Sequence, residues 1–150
     1  MTDRFLKFLP FIIEWETEYY SDGRVRVEHD PDDPGGTTKY GIDQRSHPGV
    51  DIENLTYEGA SEIYSNEWDA SGAEAMKPGL GEAYFNSVVN AGKGRADILY
   101  ARSDLTWQDY LQKAADFYRG LAEEHPRFQK YLKGWLNRVH ALYAYIEKHT

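Results

Sequence analysis

Three glutamates, Glu14, Glu16 and Glu18, crowd the N-terminal segment, and three aspartates, Asp30, Asp32 and Asp33, follow in a stretch dense in proline and glycine. Two separate groups of carboxyls suit acid-base cleavage of an acetal: one protonates the leaving oxygen, and the other steadies positive charge or activates a water. On a helix, side chains meet at spacings of three and four. Glu16 then sits among Ile12, Ile13, Tyr19 and Tyr20, whereas Glu14 and Glu18 face each other and run towards Pro10, Thr17 and Asp22. A carboxyl between apolar walls loses hydration of its charged form and can hold a proton near neutral pH, so Glu16 is the expected acid. The competing reading is a solvated helix end that happens to be acidic.

The aspartate segment, residues 30 to 42, reads as a rigid, structured loop with an apolar landing at Ile42. Thr37, Thr38 and Tyr40 add hydroxyls beside its carboxylates. Asp30-Pro31-Asp32 begins like a calcium loop, but Pro34 takes the next ligand position and Gly41 stands where the bidentate glutamate belongs. Gly35-Gly36 is followed by no Lys-Ser or Lys-Thr in the frame of a phosphate loop. The five histidines lack metal-ligand spacing. Neither a metal nor a cofactor is expected.

These groups need elements to hold them. Residues 3 to 20 read as a first helix, bent at Pro10, with Phe5, Phe8, Leu9, Ile12 and Trp15 at helical spacing. Asp22-Gly23 and the alternating run Arg24 to Glu28 predict a hairpin over Ser21 to His29. Thr56 offers an N-cap before Ala60, Ile63, Tyr64 and Trp68, and residues 79 to 89 form a second amphipathic stretch ending near Gly92. Thr106 caps a further helix through Leu111, Ala115, Tyr118 and Leu121. Pro126 opens a long last helix striped by Phe128, Tyr131, Trp135, Val139, Leu142 and Ile146. The four tryptophans read as core residues at helical spacing before they read as sugar platforms.

The bulk numbers narrow the partners. A length of 150 residues suits one domain. A formal charge of -8 disfavours the phosphate contacts that dominate nucleic-acid affinity, so DNA and RNA are not expected partners. The absence of cysteine removes disulfides and thiolate chemistry. No run approaches the roughly 20 apolar residues of a membrane helix. The apolar stretch Met1 to Trp15 is interrupted by Pro10 and Glu14 and precedes no small-residue cleavage site, which predicts synthesis in the cytoplasm without a signal peptide.

Asp30, Pro31, Asp33, Gly35, Gly36, Thr38, Gly41 and Ile42 fill eight of the thirteen positions of Asp-Pro-x-Asp-x-Gly-Gly-x-Thr-x-x-Gly-Ile. In this the chain resembles the N-acetylmuramidases of glycoside hydrolase family 108, many of them encoded by phages or prophages. Glu16 is similar to the family's catalytic glutamate at the end of its first helix. Tyr19 is similar to the tyrosine of the family's Glu-Gly-Gly-Tyr motif, with Thr17 and Glu18 replacing the two glycines. Tyr84 to Gly92 and Phe128 to Val139 look like parts of the associated peptidoglycan-binding region.

The resemblance implies a mainly α, lysozyme-like helical domain with a small β-hairpin lobe. Residues 1–78 would be its catalytic part and 79–150 a degraded peptidoglycan-binding part. It implies a hydrolase that cuts peptidoglycan glycan strands between N-acetylmuramic acid and N-acetylglucosamine. Glu16 would be the general acid and Asp33, or else Asp30, the second carboxylate. Tyr20, Asp30, Thr38, Tyr40 and Asn90 are the expected sugar contacts, although Asn90 equally fits a C-cap role beside Gly92. A holin, a phage particle or a secretion system would bring the enzyme to the wall. The alternative is a non-catalytic peptidoglycan-binding or phage structural protein on the same scaffold.

Overall fold

A computed structural model describes residues 1–32 and 36–150 in full; the side chains of 33–35 lie outside the described residues. The element order is α1 (Asp3–Glu16), β1 (Glu28–Asp30), β2 (Asp33–Lys39), β3 (Ile42–Asp43), α2 (Tyr57–Ser71), α3 (Leu80–Ala91), α4 (Lys93–Arg102), α5 (Trp107–Glu124) and α6 (Gln129–His149). The chain divides into two compact units, Met1–Glu67 and Trp68–Thr150.

In the first unit, α1 starts at Thr2, whose hydroxyl accepts the Phe5 N–H at 3.1 Å, a standard N-cap. The helix carries Pro10 inside it and buries Phe5, Phe8, Leu9, Phe11, Ile12 and Ile13. It stops at Glu16, four residues short of the expectation, because the buried Thr17 turns extended (φ -95°, ψ 131°). Tyr19 and Tyr20 therefore leave the helix. Tyr19 bridges Val25 antiparallel, and the Tyr20 N–H bonds the Arg24 carbonyl at 2.8 Å around a turn with Gly23 at φ +88°. A hairpin forms about the expected Asp22-Gly23 turn, but it pairs Glu18 to Tyr20 with Arg24 to Arg26, whereas the expected span was Ser21 to His29.

The segment expected as a rigid, structured loop is instead largely sheet. β1, β2 and β3 pair antiparallel in that order, with Glu28 opposite Thr38 and Thr38 opposite Asp43. Thr37-Thr38-Lys39 supplies the strand preference that the Pro-Gly composition conceals. Tyr40 (φ +55°) and Gly41 (φ +77°) form the two-residue link to β3, the paired positive φ values of a tight hairpin turn. Thr56 caps α2 through the Gly59 N–H at 3.0 Å.

In the second unit, α3 packs on α4 and α5, and α5 on α4 and α6. Thr106 caps α5 through the Asp109 N–H, as expected. Pro126 opens a single 3-10 turn, Pro126–Phe128, and α6 begins only after it. α4 had no counterpart among the predicted helices. Gly92, at φ +89°, ends α3 and opens α4.

A polar knot ties α6 to α3. The buried Arg138 donates from Nε to Asn86 Oδ1 at 2.9 Å and from Nη1 to Asn90 Oδ1 at 3.5 Å. An Arg138→Met substitution leaves the Asn86 oxygen buried without this donor. It should cost about 2 kcal/mol, or on the order of 5 °C in melting temperature followed by circular dichroism. Pairing it with Asn86→Leu should recover part of that loss, because removing both partners is cheaper than stranding one.

Candidate active site

Glu16 is half-buried as the last residue of α1, with the chain turning away through Thr17. Its C-terminal neighbours are not the tyrosines that helical spacing implied, since Tyr19 and Tyr20 are exposed beyond the helix end. The wall beside it comes from the turn between β2 and β3. A Cβ placed on Gly41 would stand 2.6 Å from Glu16 Cβ, 2.8 Å from Glu16 Oε2 and 2.8 Å from the Tyr64 hydroxyl oxygen. The Glu16 carboxylate and the Tyr64 hydroxyl thus flank one glycine, no farther apart than twice that distance.

Tyr64 also explains how the turn holds. Its hydroxyl donates to the Tyr40 carbonyl at 2.7 Å, fixing a non-glycine residue in the left-handed region. The glutamate at the end of α1, the glycine of the β2–β3 turn and a tyrosine of α2 are therefore packed together.

The other expected residues fall into three places. Thr38 and Tyr40 belong to the sheet side of this turn. Thr38 is half-buried in β2, its hydroxyl 3.4 Å from the Gly36 carbonyl. The Tyr40 ring meets Tyr57 edge-on at 6.3 Å, and burial pushes its hydroxyl above the usual tyrosine range. Tyr20 and Asp30 line an open depression of about 580 Å³ with Arg26, Glu28 and His29. There the Tyr20 hydroxyl donates to the Val27 carbonyl at 3.3 Å, and Asp30 accepts the Asp32 N–H at 3.0 Å. Asn90, in the second unit, donates to the Tyr118 hydroxyl at 2.5 Å and accepts from Arg138. Asp33 lies outside the described residues.

Two further carboxyls are perturbed. Glu28 is held above the usual range first by a hydrogen bond with Glu18, then by burial and the Glu18 charge. Glu67 of α2 is raised first by burial, against the lowering influence of His47, and also by the charges of Glu16 and Asp43. Sequence reasoning passed over Tyr64 as mere core and did not single out Glu67 or His47. The signal was present for Glu67: it lies at helical spacing from Ile63 and Tyr64 on the apolar face of α2, the same test that selected Glu16. Among the described residues no group of three or more His, Cys, Asp or Glu is arranged to hold a metal ion. Among them also, no helix is long and apolar enough to cross a membrane.

A mainly α-helical chain with a three-stranded sheet folded against the end of its first helix is lysozyme-like in class. The structure of Brucella abortus SagA is similar in fold: TM-score 0.69 at 20% identity, over 96% of this chain and 94% of that one. No curated protein matches the sequence. The chain belongs to the glycosyl hydrolase 108 family, whose model matches residues 9–92 and so covers the C-terminal part of α1, the sheet and the turn at Gly41.

Proposed function

We propose that this glycosyl hydrolase cuts peptidoglycan glycan strands as an N-acetylmuramidase, with Glu16 protonating the oxygen between N-acetylmuramic acid and N-acetylglucosamine. The observation that supports this reading is the close packing of Glu16 and the Tyr64 hydroxyl on Gly41, which sets one carboxyl at a helix end against the β2–β3 turn. General acid catalysis demands that kind of positioning before anything else. Asp33, or Asp30 at the rim of the Tyr20 depression, is the proposed second carboxylate; where neither reaches, a single-acid lytic route takes over. Tyr20, Asp30, Thr38, Tyr40 and Asn90 are the proposed sugar contacts.

In this reading residues 1–78 form the catalytic part and 79–150 a helical part that resembles a degraded peptidoglycan-binding region. The protein acts as a phage-type endolysin that a holin or secretion system brings to the wall. Digestion of purified sacculi followed by borohydride reduction tests it directly. New muramitol ends are expected. Glucosaminitol ends would place the cut at the other bond, 1,6-anhydromuramic ends would mark the lytic route, and retention on sacculi with neither reduced nor anhydro ends would favour a non-catalytic wall binder.

A further inference from the structure

The second unit holds a cleft of about 220 Å³ between α4 and α5, lined by Arg95, Leu99 and Arg102 on one side and by Lys113, Asp116 and Phe117 on the other. Within each helix these residues are three or four apart, so each turns one face into the cleft. Three of the six are cations, in a chain whose formal net charge is -8.

How these groups are engaged decides what the cleft can hold. Lys113 donates to the two Asp109 carboxylate oxygens at 3.0 and 3.3 Å, and Asp116 accepts from Gln112 at 3.0 Å and from Arg119 at 3.4 Å. Those pairs run along α5 itself. The Arg95 guanidinium carbon sits 4.0 Å from the centre of the Phe117 ring. Stacking occupies the face of a guanidinium and leaves its N–H edge for a second partner, a use of arginine that lysine cannot reproduce. Neither Arg95 nor Arg102 has a carboxylate partner among the described residues. The cations of α5 are matched by Asp109 and Asp116, so the positive surplus of the cleft is these two arginines.

Size and lining then narrow the occupant. The cleft is smaller than the ~300 Å³ at which pockets for drug-sized ligands begin, so it takes one acidic group and its neck rather than a sugar chain. Leu99 is buried and Phe117 half-buried, which gives the cations an apolar wall. A phosphodiester flanked by polyol gains little from such a wall. A carboxylate on a short alkyl carbon uses both parts, with its two oxygens matched to a guanidinium fork. We propose that the α4–α5 cleft binds the terminal carboxylate of a peptidoglycan peptide stem, Arg95 and Arg102 taking the oxygens and Leu99 and Phe117 the methyl of the last alanine. This rests on the reading of peptidoglycan as the substrate.

Titration of the wild-type protein with acetyl-D-alanyl-D-alanine, followed by 15N NMR at constant ionic strength, tests the site. The Nε–H signals of Arg95 and Arg102 should shift and saturate together with the amides of α4 and α5. The same peptide with its C-terminus amidated should bind about tenfold more weakly or worse, because it lacks the charge that the arginines pair with. The double variant Arg95→Gln/Arg102→Gln should lose affinity for the acid form to a similar degree. Equal binding of acid and amide overturns the proposal, and so do shifts that leave α4 and α5 untouched. Glycerol phosphate bound as tightly as the peptide overturns it too, since the cleft would then hold any oxyanion. Should the double variant fail to fold, the comparison of acid with amide on the wild type still decides. No cleavage enters these measurements: a cleft that ignores the peptide leaves the assignment of Glu16 standing, and undiminished cleavage by Glu16→Gln leaves the cleft standing.

Discussion

Glu16→Gln should lower the release of reducing ends from peptidoglycan at least ~10²-fold, the usual contribution of a positioned general acid. Glutamine matches glutamate in shape, so the packing against Gly41 and Tyr64 survives and the melting temperature should stay near that of the wild type. It cannot deliver a proton. The loss should appear in kcat with KM little changed, since a donor acting only in the transition state contributes nothing to ground-state binding. The variant should therefore still be retained on sacculi.

Glu14→Gln and Glu18→Gln are the matched controls. Both residues are exposed, and the carboxyl of Glu18 is engaged with Glu28 in the hairpin. Each should keep activity within about threefold, as surface changes away from the chemistry usually do. Undiminished clearing by Glu16→Gln, measured as turbidity loss or reducing ends, would remove it from the mechanism. Loss confined to Glu14→Gln would move the acid two residues along the chain.

The helices were legible where an apolar stripe met a cap. Thr56, Thr106 and the stripe from Val139 to Ile146 all announced themselves, because periodicity and capping act over a few residues. What the sequence hid was set by distant partners. The end of α1 depends on Thr17 being buried and on Tyr19 finding Val25 across a hairpin, so aromatic spacing alone carried the expected helix too far. β2 was hidden by its own glycines and proline, and the register opposite Glu28 and Asp43 is what makes it a strand. The wall beside Glu16 is made by residues some twenty-five and nearly fifty positions away, and no local pattern reaches that far. Glu67 carried a local signal on the apolar face of α2, and it was its partner His47, far back in the chain, that no local pattern reached.

Gly41→Ala should damage both stability and activity, and Gly23→Ala separates the two causes. The two glycines share the left-handed region, with φ +77° and +88°. An alanine at Gly23 meets nothing within 4 Å, so it suffers only the backbone penalty, on the order of 1 kcal/mol. Its cleavage rate should be close to that of the wild type. An alanine at Gly41 has the same backbone cost and also overlaps Glu16 Cβ at 2.6 Å, an atom rooted next to the backbone that no rotamer change can withdraw. Either the β2–β3 turn lifts away, straining the Tyr64 bond to Tyr40, or the end of α1 shifts. Both routes add to the cost, for a total of about 2 kcal/mol or more by thermal denaturation. Both also displace the acid from its pose, and a shift of about 1 Å in a reacting group can cost 10²-fold in rate. A Gly41→Ala enzyme with unaltered turnover would mean that the contact between the second motif and Glu16 has no part in placing the acid.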